Sequence, residues 1–99
     1  MAELAGALRE RIAIERWDGT GWIAIGDAWA ALAPVDTVLT ADVGERQLGR
    51  PRFRLTVRTP TVVALATRCR WRGRLLVVLR AEPDPALRDR ATFLVEDRT

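Results

Sequence analysis

The chain has 99 residues and a formal net charge of +3, with 16 basic residues, all arginine, against 13 carboxylates. It contains no histidine, lysine, serine, tyrosine or asparagine and a single cysteine, Cys69. This composition excludes Ser–His and Cys–His nucleophile pairs, lysine Schiff bases, P-loop lysines, internal disulfides, histidine metal sites and zinc sites built on several thiolates. We therefore expect one non-enzymatic domain spanning residues 1–99, with no catalytic residue, cofactor or metal.

The first predicted element is a β-hairpin. Residues 8–17 alternate apolar and polar side chains, which is the period of a strand. Residues 18–21, Asp-Gly-Thr-Gly, predict a turn, because aspartate and glycine tolerate turn backbone angles. The second arm covers residues 22–32 and stops at Pro34. Apolar residues occupy both faces of this arm, which predicts either a bulge or cover on both sides.

The next segment, residues 36–49, breaks the strand pattern. Asp36 or Thr37 can cap a helix. Leu39 and Val43 lie four residues apart on one helical face, and Gly49 is placed to end the helix. Gly44 would cost about 1 kcal/mol relative to alanine within it. We predict a short, marginal helix in the connection between strands 2 and 3.

Two further strands carry arginine at alternate positions. They cover residues 50–59 and residues 61–71, the second with a bend near 64–66. Core-type residues such as Phe53, Leu55 and Cys69 lie between the arginines, so each strand has one charged face and one buried face. The arginines are Arg50, Arg52, Arg54 and Arg58, then Arg68, Arg70, Arg72 and Arg74.

A turn at residues 72–73 leads into an apolar strand over residues 75–80. Leu76 and Val78 lie an even number of positions from Arg74 and Arg80, so strand alternation places them on the charged face. We expect this apolar strip to be covered by the 36–49 segment or by a neighbouring subunit. Leu39, Val43, Leu76 and Val78 are therefore predicted subunit-interface residues.

A stiff loop at residues 82–85 precedes a last strand over residues 91–96. The chain thus predicts about six short strands and one short helix, without the strand–helix alternation of a parallel sheet. This order indicates a mainly β fold, a small antiparallel β-barrel or sandwich.

The arginine faces allow two interpretations. One is a solvated outer sheet surface; the other is an electrostatic surface for DNA phosphates or for an acidic partner. A protein that binds single-stranded nucleic acid is expected to carry aromatic side chains beside its arginines, on which the bases stack. Phe53 and Trp71 alternate with the arginines and are therefore predicted to point into the core instead. The candidate DNA- or partner-facing residues are Arg52, Arg54, Arg58, Arg68, Arg70 and Arg72.

Three smaller sets complete the candidates. The four tryptophans are expected mainly in the core, although Trp17 and Trp22 flank the first turn and are the predicted exposed interface anchors. The carboxylate pairs, Glu82 with Asp84 and Glu96 with Asp97, are expected to be surface charge. Cys69 has inward parity and is expected to be a small core residue.

The order and spacing of these segments resemble the phage head–tail joining proteins, also called head-completion or stopper proteins, including those of gene transfer agents. The similar segments are residues 6–16, the Trp-Ala-Ala-Leu-Ala-Pro run at 29–34, residues 53–58, the hairpin at 70–78 and the final strand approach at 87–96. The late hairpin departs from the family, because Leu75 or Leu76 stands where a tyrosine or phenylalanine is usual after the glycine. The first turn is also shorter than is usual there.

The resemblance implies a small, non-enzymatic β-barrel that forms a ring, with portal and adaptor proteins above it and tail proteins below. It implies a location in a virion or gene-transfer particle assembled in the bacterial cytoplasm, and a role in retaining DNA. Non-specific contact with packaged double-stranded DNA is a further implication. The alternatives are a nucleic-acid-binding barrel and a tail terminator. Residues 1–9 carry Glu3 and lack a long apolar run, so no signal peptide is expected. No stretch of the chain approaches the roughly 20 apolar residues that a membrane span needs, so no span is expected either.

Overall fold

Alternating apolar and polar residues form six β-strands in the computed structural model, which describes residues 7–35 and 50–99. The predicted helix at 36–49, with its interface candidates Leu39 and Val43, lies outside these described residues. The strands are β1 (Glu10–Trp17), β2 (Trp22–Pro34), β3 (Arg52–Arg58), β4 (Thr67–Trp71), β5 (Arg74–Ala81) and β6 (Arg90–Asp97).

The strands close into an antiparallel barrel in the order β1-β2-β3-β6-β5-β4. Closure pairs β4 with β1 through Arg16 and Thr67 at one end of the ladder and Ala13 and Arg70 at the other. The predicted mainly β, six-stranded antiparallel barrel is confirmed. Within residues 7–35 and 50–99, the structure has no helix with the length and apolar character that a bilayer span requires.

Two short turns set the hairpin registers. In the β1–β2 turn, the Asp18 carboxylate accepts hydrogen bonds from the backbone N–H groups of Thr20 (2.8 Å) and Gly21 (2.9 Å). In the β4–β5 turn, Arg72 and Gly73 both have positive φ, 52° and 79°. Positive φ at both central residues is the requirement of the tight hairpin turn whose twist matches its flanking strands.

The barrel interior is filled by alternate residues from all six strands. Its most deeply buried large side chains are Ile12, Ile14, Leu55, Leu76, Val57, Val95 and Cys69. Burial raises the pKa of the Cys69 thiol to about 12, so the thiol stays protonated and packs as an apolar group. The prediction that Cys69 is a core residue is confirmed.

The fourth strand begins later than predicted. Residues 61–66 belong to a loop, and β4 starts at Thr67. The Thr67 hydroxyl donates to the Ala64 carbonyl oxygen at 2.6 Å and accepts from the Ala64 N–H at 3.1 Å. Val63, only 3% exposed, packs into the core from this loop. These local hydrogen bonds replace the ladder bonds that a strand would make here.

The predicted placement of Leu76 and Val78 on the charged face is wrong. Both point into the barrel, with exposures of 0% and 8%. The register between β5 and β6 shifts after Val78, which leaves Leu79 as an extra residue. Such a bulge reverses the side that the following residues face. Arg80 therefore points outward, although it lies two positions after the inward-facing Val78. The apolar side chains on the outer face of β5 are Leu75 and Val77, both half-buried.

Candidate interaction surfaces

The arginines of β4 are joined to β1 by one carboxylate. Glu15 lies opposite Arg68 in the ladder, and its carboxylate accepts from Arg68 Nε at 2.6 Å and from Arg70 Nε at 3.0 Å. The side chains of Glu15 and Arg68 are each only 16% exposed. Partial burial strengthens such a charge-assisted pair relative to one in bulk water.

The same arrangement recurs on the β3–β6–β5 face. Glu96 accepts from Arg52 Nε at 3.1 Å and from Arg98 Nε at 2.8 Å. On the same face, Leu94 faces outward and is opposed by an arginine on each neighbouring strand, yet it is only 4% exposed. Long arginine side chains can cover apolar surface in this way while keeping their charged ends in water.

A third carboxylate joins those two arginines above Leu94. Glu82 accepts from Arg54 Nε at 2.8 Å and from Arg80 Nη2 at 3.2 Å. Each of the carboxylates Glu15, Glu82 and Glu96 therefore neutralises part of the charge of two arginines. The alternating arginines form cross-strand ion networks rather than unopposed positive stripes.

At the barrel end that holds the β4–β5 turn, Glu10 accepts from Trp71 Nε1 at 2.9 Å and from Arg72 Nη2 at 3.0 Å. Trp71 is half-buried and meets the ring of Phe53 edge-on, with 5.2 Å between ring centroids. Arg74 pairs with Asp97 at 3.2 Å beside them. This end of the barrel is therefore closed by aromatic packing and surrounded by ion pairs.

Of the six candidate arginines, five hold ion pairs with named carboxylates: Arg52, Arg54, Arg68, Arg70 and Arg72. The sixth, Arg58, ends β3 and interacts electrostatically with Asp89. It also lines an open groove of about 460 Å³ together with Leu8, Ala28 and Trp29. Arg58 therefore differs from those five in bordering this groove.

The carboxylates of the pairs expected to be plain surface charge each bind a partner in the structure. Glu82, Glu96 and Asp97 are all engaged by arginines, and Asp84 accepts from the Ala86 N–H at 3.0 Å. Within residues 7–35 and 50–99, no cluster of three or more acidic, cysteine or histidine side chains has a geometry that could hold a metal ion.

The bridging carboxylates make folding sensitive to acid. The Arg68 hydrogen bond, then that of Arg70, lowers the pKa of Glu15 below the ordinary 4.5, against the opposing effect of burial. Arg54 does the same for Glu82 and Arg98 for Glu96. A carboxyl whose pKa is lower in the folded state stabilises the fold fully above its unfolded pKa and loses this contribution as the pH falls through the folded pKa.

We therefore expect the free energy of unfolding to be nearly constant above pH 5.5 or so and to fall progressively below about pH 4.5. Urea unfolding at a series of pH values measures this. The matched variant Glu15→Gln keeps the side-chain size but has no ionisable group, so its curve should be flatter in acid. A curve for Glu15→Gln as steep as that of the parent chain would show that Glu15 has no part in the acid response.

The β1–β2 hairpin presents an aromatic tip. Trp17 and Trp22 are 49% and 38% exposed and meet edge-on with 5.7 Å between centroids. The Arg68 guanidinium lies over the Trp22 ring at 4.3 Å, while Glu15 holds Arg68 in place. The predicted exposure of both tryptophans is confirmed, and their role as interface anchors remains a prediction.

Trp29 corrects the expectation that the tryptophans lie mainly in the core. It is 53% exposed, lies opposite Arg11 and is stacked by the Arg11 guanidinium at 5.1 Å. The β1–β2 register shifts between Ile14 and Glu15, which leaves Ile25 as an extra residue in β2. This bulge is why apolar residues occupy both faces of β2, and it hid the facing of Trp29 from the sequence pattern.

Three other exposed apolar side chains lie near the barrel end that holds the β1–β2 turn. Val62 and Leu65, 51% and 55% exposed, belong to the β3–β4 loop, and Leu87, 39% exposed, belongs to the β5–β6 loop. The two loops are joined because Thr59 donates its hydroxyl to the Arg88 carbonyl oxygen at 2.8 Å. Together with Trp17 and Trp22, these side chains place most of the large exposed apolar groups at one end of the barrel, beside the Glu15–Arg68 pair.

Comparison with known proteins identifies a similar fold. No protein-family model matches the chain, and no curated protein matches it. Among solved structures, the chain is similar to a chain from the virion of a native gene transfer agent (GTA) particle, with a TM-score of 0.62 and 20% sequence identity. The match covers 91% of this chain and 94% of the other. At this identity the likeness establishes a shared β-barrel fold over nearly the full length of both chains.

Proposed function

We propose that this protein is a structural subunit of a phage or gene-transfer-agent particle, acting as a head–tail connector of the stopper type. The observation that supports this most is the fold shared with a gene-transfer-agent virion chain over more than nine-tenths of both proteins. Because a fold alone does not define a function, the proposal also depends on the surface chemistry of this chain.

The surface is consistent with a subunit that contacts other proteins. Trp17 and Trp22 are exposed at the hairpin tip, and one carries a stacked arginine. Tryptophan and arginine are the residues most enriched at energetically dominant interface positions. In the proposed assembly, copies of the barrel form a ring between portal or adaptor proteins above and tail proteins below, within the particle.

Deleting the gene from a producing strain tests this role. We expect the deletion to leave heads that lack attached tails and have lost their DNA, because the joint and its seal are missing. Electron microscopy and nuclease-protected DNA per head measure the two effects, and mass spectrometry of purified particles shows whether the protein is a component. Complementation with the unaltered gene is the control, and normal tailed, DNA-filled particles from the deletion strain would overturn the proposal.

A nucleic-acid-binding barrel is the second candidate, favoured by the arginines stacked on Trp22 and Trp29, which resemble the groups that bind single strands. The carboxylates that bridge the arginines oppose it, since they reduce the charge available to phosphates. Phosphate binding weakens steeply as salt rises. Because of these carboxylates, we expect fluorescence anisotropy with labelled single- and double-stranded DNA to show little binding at any salt concentration from about 20 mM to about 200 mM. Strong, salt-sensitive binding would favour this second candidate.

A further inference from the structure

The ladder between β2 and β3 opens into a groove. In the described part of the chain, β2 pairs with β3 only over residues 30–34, and this ladder ends at Val57 of β3. Beyond that point β2 continues to pair with β1, so β2 and β3 separate like the arms of a fork. The open groove of about 460 Å³ lies at this fork, because its lining includes Ala28 and Trp29 of β2 and Arg58 of β3.

The groove exposes a short edge of β2. Toward the β1–β2 turn, Val62 of the β3–β4 loop lies 3.9 Å from the place that a Cβ atom on Gly26 would occupy, so this loop borders the groove. Residues 27–29 lie between the loop and the start of the ladder, and over the described residues they have no ladder partner on the β3 side. The N–H and C=O groups of such an edge can bind an extended polypeptide as a further strand.

The lining of the groove is apolar where it is buried and charged where it is exposed. The more buried residues are Leu8, 7% exposed, and Ala28, which lies opposite the core residue Ile12. The exposed residues are Trp29 and Arg58. An extended segment beside β2 would place successive side chains on opposite sides. Its side chains would therefore alternate between the apolar interior of the groove and the exposed rim.

Positive charge exceeds negative charge on the β3 side of the groove. Arg58 lies directly opposite Arg90 in the β3–β6 ladder, and like charges in that position are unfavourable. Asp89 pairs with Arg90 at 3.0 Å and also interacts with Arg58. Arg88 lies in the same loop, where its carbonyl oxygen accepts the Thr59 hydroxyl at 2.8 Å. The three arginines therefore outnumber the carboxylate beside them, and a further carboxylate bound there would be favourable.

The Trp29 wall of the groove carries a balanced pair of charges. The Arg11 guanidinium stacks on the Trp29 ring at 5.1 Å and pairs with Asp27 at 3.4 Å. These two charges offset each other, so the excess positive charge at Arg58 is not cancelled from this side.

We propose that this groove binds an extended segment of a partner protein in which apolar and acidic side chains alternate. The segment pairs with residues 27–29 of β2, its apolar side chains contact Leu8 and Ala28, and its carboxylates accept hydrogen bonds from Arg58. Such charge-assisted bonds are stronger than neutral ones. The inference goes beyond the connector role and does not depend on it, because the isolated chain carries the whole groove.

A polypeptide fits the groove better than a nucleic acid does. A nucleic acid could place a base on Trp29 and a phosphate on Arg58, but it would leave the strand edge unpaired. The arginines on the neighbouring strand faces are bridged by carboxylates, so they do not extend the positive charge into a track for a phosphate backbone.

Peptide binding to the purified chain tests the proposal. Fluorescence anisotropy would measure the affinity for a short labelled peptide in which leucine alternates with glutamate. One control peptide has lysine in place of glutamate, and another carries the same leucines and glutamates in two separate blocks. We expect saturable binding of the alternating acidic peptide and at least about tenfold weaker binding of both controls. No binding of the acidic peptide, or equal binding of the lysine peptide, would overturn the proposal.

Two matched charge reversals locate the binding site. Arg58→Glu should weaken binding of the alternating acidic peptide by about tenfold or more. Arg50→Glu makes the same change of net charge at an exposed residue just before β3, at the other end of the strand, and should leave the affinity essentially unchanged. Circular dichroism would confirm that both variants are folded. Equal losses in the two variants would show that only the net charge matters, which is contrary to the proposal.

Amide hydrogen exchange tests the strand pairing itself. Binding of the alternating acidic peptide should slow exchange within residues 27–29. Protection elsewhere, without a change at these residues, would contradict the pairing. Displacement of the peptide by an equal concentration of a thymidine oligonucleotide would assign the groove to nucleic acid instead. Self-association of the parent chain that Arg58→Glu abolishes would assign it to a second copy, and either result overturns the proposal.

Discussion

Leu76→Asp is expected to prevent stable folding of the isolated chain. Leu76 has no exposed surface and lies between Cys69 on β4 and the C-terminal end of β6. A carboxylate there would have to be buried without a partner or take up a proton, and either costs several kcal/mol of a total stability of about 5–15 kcal/mol. Circular dichroism and urea unfolding would measure the loss.

The adjacent residue provides the matched control. Leu75 is half-buried on the outer face, opposite Arg70. An aspartate at position 75 can reach water and a nearby arginine, so Leu75→Asp should leave a folded barrel with only a modest loss of stability. If Leu76→Asp folded normally while Leu75→Asp did not, the facing of β5 would be the reverse of that described.

Leu55→Ala is expected to lower the free energy of unfolding by about 2–5 kcal/mol. Leu55 is completely buried and lies at the centre of the barrel, paired with Leu32 on β2 and Phe93 on β6. The truncation loses the transfer free energy of the side chain and leaves a cavity that a closed barrel cannot easily collapse. Urea unfolding monitored by tryptophan fluorescence gives the value.

The same substitution at an exposed leucine is the control for Leu55→Ala. Leu65 is 55% exposed in the β3–β4 loop, so Leu65→Ala should change stability by no more than about 0.5 kcal/mol. Similar losses at both positions would contradict the assignment of Leu55 to the core.

The chain's strands were largely predictable because their signals are local. Alternating side chains defined β1 and β3, and the Asp18 and Gly73 turns are set by residues within a few positions. The start of β4 was predicted too early, because the hydrogen bonds of Thr67 to Ala64 make a loop from residues that could also extend a strand.

The candidate surfaces were less predictable because they depend on residues distant in sequence. Glu15 and Arg68 are 53 positions apart, and no local pattern shows that one carboxylate will bridge two arginines of another strand. The facing of Trp29 was hidden by the bulge at Ile25, and the bulge at Leu79 gave the outward-facing Arg80 the same parity as the buried Leu76 and Val78. A bulge is defined by pairing with the neighbouring strand, so a count along one strand cannot reveal it.

By itself, the sequence determined that this is a mainly β chain with arginines on one face of its strands and without histidine, lysine or serine. The period of two is a property of a single extended strand, so it can be read along the chain. The tertiary structure alone decided how those arginines are neutralised and which apolar residues face outward. These properties arise from barrel closure, which sets register, bulges and cross-strand contacts between residues distant in sequence.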